Sequence, residues 1–107
     1  MTIPNNKPKI VKDYDKLTET VQEQIKLHYL RGFQQNLITF KNAQGKFISA
    51  LPFETDDHYY LVRMTKVEAE EIIEEDSDYN KDGILKVDVK MEYVEKYIDN
   101  DEVDIDE

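Results

Sequence analysis

Apolar positions along this chain switch between a helical and a strand period. A polar start holds Pro4, Asn5, Asn6 and Pro8, after which Ile10 and Val11 either open a short strand or pack on a core. Val21, Ile25 and Tyr29 then recur at i, i+4 and i+8, with Leu17 before them and Leu27 and Leu30 widening the face. That spacing predicts a helix from about Glu19 to Leu30. Thr18 suits its N-cap and Glu19 its dipole; Gly32 supplies the left-handed residue that ends it, and Phe33 folds back.

The period then shortens to that of strands. Leu37 to Lys41 and Lys46 to Leu51 flank the polar connection Asn42-Ala43-Gln44-Gly45, which predicts a hairpin. Pro52 is expected to end the second strand or leave it at an edge. After a turn at Glu54 to Asp57, His58 to Met64 reads as a third strand, rich in aromatic and β-branched residues.

Thr65-Lys66-Val67-Glu68 is a capping box and opens a second helix reaching about Asp76, with Met64 and Ala69 as an apolar staple. Val67, Ala69, Ile72 and Ile73 are available to a core. A polar loop, Ser77 to Gly83, precedes a third helix from about Val87 to Ile98. Its apolar stripe is Val87, Met91, Val94 and Ile98, flanked by Tyr93 and Tyr97. The expected fold is α+β: an N-terminal helix, a three-stranded antiparallel meander, and two C-terminal helices packed on one sheet face. Residues 1–9 are expected to form a flexible arm, 10–98 a single domain, and 99–107 an acidic disordered tail.

Charge changes this picture more than composition does. Residues 1–54 carry 8 basic and 5 acidic groups, whereas 55–107 carry 6 basic and 19 acidic groups. The net charge of −10 argues against direct binding of nucleic acid through phosphates or of an anionic membrane surface. No apolar run approaches the ~20 residues of a membrane span. Cysteine is absent, which excludes disulfides, thiolate catalysis and thiolate zinc sites. The N-terminus lacks the apolar segment of a secretory signal, and a cytoplasmic protein is expected.

Six acidic residues, Glu68, Glu70, Glu71, Glu74, Glu75 and Asp76, crowd the short second helix. Glu70 with Glu74 and Glu71 with Glu75 are like-charge i,i+4 pairs, each costing roughly 0.2–0.5 kcal/mol. Glu74, Glu75 and Asp76 also crowd the negative end of the helix dipole. A basic partner, a bound cation or nearby lysines would offset that arrangement.

Asp78-Tyr79-Asn80-Lys81-Asp82-Gly83-Ile84-Leu85 resembles the start of an EF-hand loop. Asp78, Asn80 and Asp82 match the first three oxygen ligands, Gly83 the tight turn, Ile84 the carbonyl position and Leu85 the apolar position. The match stops there. Val89 stands where the bidentate Glu belongs, Asp88 comes one residue early, and Lys86 occupies the ninth position. The resemblance implies calcium binding no tighter than the ~10⁻⁴–10⁻³ M class. The same residues also make an ordinary polar turn.

No phosphate-binding loop, nucleophile elbow or zincin motif occurs. His58 and Asp57 are strand neighbours that point to opposite faces, a poor acid–base pair, and His28 has no obvious partner set. The aromatic cluster Phe47, Phe53, Tyr59 and Tyr60 reads as sheet packing that leaves one tyrosine exposed beside Arg63.

The sequence therefore leads to a non-catalytic acidic module without a cofactor, a monomer or weak dimer, that docks on a basic protein surface. Glu68, Glu71, Glu74 and Glu75 are expected to carry the contact, with Tyr60 and Arg63 beside them. A weak calcium loop at Asp78, Asn80 and Asp82 is the first alternative, and mimicry of nucleic-acid phosphates by carboxylates the second. A strand edge near Pro52 is a possible dimer contact.

Overall fold

The computed structural model describes residues 7–106, with side chains through residue 98. The elements in order are β1 (Lys9–Asp13), α1 (Glu19–His28), β2 (Ile38–Lys41), β3 (Phe47–Glu54), β4 (Tyr59–Arg63), α2 (Lys66–Glu75) and α3 (Val87–Asp106). Short 3-10 turns, Tyr14–Lys16 and Gln34–Asn36, flank α1.

The fold is α+β, but its sheet is not the expected meander. Four strands lie in the order β1-β4-β3-β2, and a strand, not a helix, comes first. β1 pairs parallel to β4, with Ile10 opposite Tyr60 and Lys12 opposite Val62. The sequence concealed this because only Ile10 and Val11 in the segment are apolar, and the pairing partner lies about fifty residues away. No local turn announces a parallel partner. Lys9 and Lys12 are exposed on this edge strand, where charge discourages pairing with another chain. Of the arm expected over 1–9, residues 1–6 lie outside the described residues, and Lys9 opens β1.

The two hairpins form as expected, with Ile38 opposite Ala50 and Phe53 opposite Tyr60. β3 continues past Pro52 to Glu54 because β4 still pairs with it there. β2 has already ended opposite Ala50, so the missing Pro52 N–H costs no ladder bond. The Tyr29 hydroxyl donates to the Pro52 carbonyl and closes that gap in the sheet edge.

Cross-strand register puts Leu51, Phe53, Tyr60 and Val62 on one sheet face, and these pack with Ile25, Phe33 and Ala69. Ile25, Phe33, Leu51 and Val62 are fully buried. Thr18 caps α1 through the Val21 amide, and the Thr65–Glu68 capping box of α2 is complete. Gly32 takes the left-handed region at φ 95°, which turns Phe33 back among Tyr14, Tyr29 and Tyr79.

α3 departs from expectation in orientation. Its buried contact is made by Tyr97 with half-buried Tyr93, while Val87, Met91 and Ile98 are 71%, 64% and 50% exposed. Tyrosine wins the interior face because each hydroxyl has a carboxylate to bind there, Tyr93 on Asp78 and Tyr97 on Glu23. The acidic segment 99–107, expected as a tail, falls on the far end of α3; its side chains, and Glu107 altogether, lie outside the described residues. Among the described residues no helix is long and apolar enough to cross a membrane.

Hydrogen exchange tests the added strand. Alternate amides between Ile10 and Asp13 are expected to be protected by β4, whereas uniform fast exchange there would mean that β1 is not paired. Ile25→Ala is expected to cost about 2–5 kcal/mol in chemical denaturation, since its side chain is fully buried in the core.

Candidate functional site

The acidic end of α2 meets a cation from its own chain. Lys26, on the last turn of α1, is buried, and its Nζ lies 2.6 Å from Asp76 and 2.8 Å from Asp78. Asp76 is the C-cap of α2, so the ammonium sits at the negative end of that helix. Asp78 Oδ2 also accepts from the Tyr93 hydroxyl at 2.7 Å. The backbone amide of Asp78 donates to Asp76 Oδ1 at 2.9 Å. Four segments thus converge: α1, the end of α2, the following loop and α3.

Electrostatics follow from this geometry. Burial alone raises the Asp78 carboxyl, but the bonds from Lys26 and Tyr93 outweigh it and hold it below the usual range. Burial lowers the Lys26 ammonium, and its bonds to Asp76 and Asp78 more than reverse that. Burial pushes the Tyr14 phenol up to about 12. Burial also raises Tyr79 and Tyr93, with nearby carboxylates adding to the effect. A second tie joins α1 to α3: buried Glu23 accepts from Lys96 at 2.9 Å and from Tyr97 at 2.5 Å.

The EF-hand-like residues are engaged within the protein. Asp78 holds Lys26 and Tyr93. Asn80 Oδ1 accepts the amides of Asp82 at 2.8 Å and Ile84 at 3.0 Å, which winds the loop on itself. Gly83 takes φ 78°, and the Leu85 amide donates to the Leu30 carbonyl, fastening the loop to the end of α1. Among the described residues no group of three or more His, Asp or Glu side chains is placed to hold a metal ion.

The six residues expected at a partner surface do not form one patch. Glu68, Glu71 and Arg63 line a shallow groove of about 330 Å³ with Asp13, Tyr14 and Ile72. Arg63 is paired with Asp13 there at 3.0 Å. Glu74 and Glu75, with Glu70, line a larger cleft of about 840 Å³ between the end of α2 and the Arg31–Gln35 segment. Tyr60 belongs to neither; it packs on Phe53 and His58 against the core. Glu70, Glu71, Glu74 and Glu75 are exposed, and among the described residues none of them forms an ion pair. Nothing in the local sequence marks Arg31 as a cleft residue or Lys26 as the counter-charge. Lys26 is visible only as a cation on the apolar side of α1, one residue after Ile25.

His58 and Asp57 share no hydrogen bond; the Asp57 and His58 amides instead cap onto Thr55 Oγ1. The Tyr14 hydroxyl is, among the described residues, the buried side-chain atom that lacks a hydrogen-bond partner.

Burial of the tyrosines works against the fold at alkaline pH. A raised folded-state pKa stabilises the fold below the ordinary value of 10.0 and loses that contribution as pH rises toward the folded value. Stability is therefore expected to fall above pH 10, by up to about 1.4 kcal/mol per unit for Tyr14. Tyr14→Phe should soften that decline and cost nothing at neutral pH, because its hydroxyl is unsatisfied. The opposite sign holds for Asp78, whose contribution is present above its ordinary value of 3.8 and is lost below it. Urea midpoints across pH for both proteins check this. Comparison with family models, with curated proteins and with solved structures finds no match to this chain.

Proposed function

We propose that this protein is a non-catalytic binding module that docks its acidic C-terminal half on a basic protein surface. The observation that carries the reading is the exposed, unpaired state of Glu70, Glu71, Glu74 and Glu75 among the described residues. Lys26 neutralises the cap of α2 at Asp76 but reaches none of these four. The cluster keeps its self-repulsion in the free protein, and a cationic partner relieves it. Glu70, Glu74 and Glu75 line the larger cleft together with Ile73, so an incoming Lys or Arg chain would meet carboxylates beside an apolar side chain there. Glu68 is partly committed to its own helix cap, which leaves Glu71 as the accessible acid of the smaller groove.

Absence of cysteine suits a reducing compartment, and the cytoplasm is the proposed location. The calcium reading at Asp78, Asn80 and Asp82 finds no favouring observation, since Lys26 already occupies the carboxylate of Asp78.

Glu71→Lys with Glu75→Lys is expected to leave the fold intact and to weaken capture of a basic partner about tenfold at low salt. The wild-type complex should loosen steeply between low and moderate ionic strength. Equal retention of the partner by the folded double variant would reject the reading.

A further inference from the structure

The outward face of α3 is not acidic alone. At about 100° per residue, Val87, Met91, Val94 and Ile98 fall on one line of the helix. Asp88, Glu92 and Glu95 fall on the next line, and all three are exposed; Lys96, bonded to Glu23 of α1, follows beyond them. Tyr93 and Tyr97 point the other way, into their bonds with Asp78 and Glu23. Lys90, also exposed, borders the apolar line on its other side. The helix therefore presents an apolar row and an acidic row in parallel over three turns.

We infer that this face of α3 is the docking site for a basic amphipathic helix of the partner protein. The inference rests on the reading that the acidic half engages a basic partner, and it names the partner's form. Charge complementarity selects the occupant. A partner helix whose apolar side meets Met91 and Ile98 must place its flanking residues against Asp88, Glu92 and Glu95, and only Lys or Arg is welcome there. A second copy of this chain brings its own acidic row and its own charge of −10 to the contact, which opposes that pairing. The apolar row distinguishes this site from α2, because apolar burial persists in salt that screens exposed carboxylates.

The test uses the full chain and a Leu/Lys peptide of about 18 residues with helical i, i+3, i+4, i+7 spacing, long enough to hold a helix. A scrambled peptide of the same composition is the control. Amide shifts are expected along 87–98, and the scrambled peptide should bind more weakly. Met91→Gln with Ile98→Gln alters only exposed side chains and is expected to weaken binding about tenfold or more. Unchanged affinity in that variant, together with weaker binding by Glu71→Lys/Glu75→Lys, would overturn the α3 site and leave the acidic module standing. Unchanged affinity in both variants would overturn both. A peptide-free dimer in sedimentation that Met91→Gln/Ile98→Gln abolishes would assign the face to a second copy and overturn the inference.

Discussion

One buried ammonium organises the helical layer of this protein. Lys26 leaves α1 and is held between Asp76 and Asp78, at the place where α2 ends and its chain turns toward α3. A charge in that position is costly unless it is paired and bonded, and here both carboxylates reach it. Tyr93 then donates to the same carboxylate of Asp78 and ties α3 to the loop. Without Lys26, two partly buried carboxylates would face each other at the negative end of a helix dipole.

The acidic surface follows from this arrangement. α2 is rich in acid, and Lys26, the cation bonded at its C-terminal end, is taken up by Asp76 and Asp78. What remains, Glu70, Glu71, Glu74 and Glu75, is exposed around two grooves. α3 is set so that tyrosines face inward and the aliphatic row faces out. The inner side of α3 is thus fastened by polar ties, Tyr93 to Asp78 and Lys96 and Tyr97 to Glu23, while Val87, Met91 and Ile98 of the same helix lie on the surface.

Local signals carried much of the fold. The Thr65 capping box and the Asn42–Gly45 hairpin are written in adjacent residues, and both form as expected; Gly32 takes its left-handed turn, but α1 has already ended at His28 with Tyr29 as its cap. The parallel pairing of β1 is not local; Ile10 and Val11 alone cannot specify a partner that far along the chain. The orientation of α3 was hidden for another reason. Periodicity marks the more aliphatic side as the buried one, yet Tyr93 and Tyr97 take that place because Asp78 and Glu23 offer acceptors there. The acidic character of α2 was plain in sequence. The division of its carboxylates between two grooves, and the counter-charge from α1, needed three dimensions.

The most direct measurement is a double-mutant cycle on Lys26 and Asp78, using Lys26→Met and Asp78→Asn with stability read by urea unfolding. If the ammonium ties the helices together, the two changes are strongly non-additive, with a coupling of about 1 kcal/mol or more. Additive losses, within about 0.3 kcal/mol, would contradict the central role given to this contact.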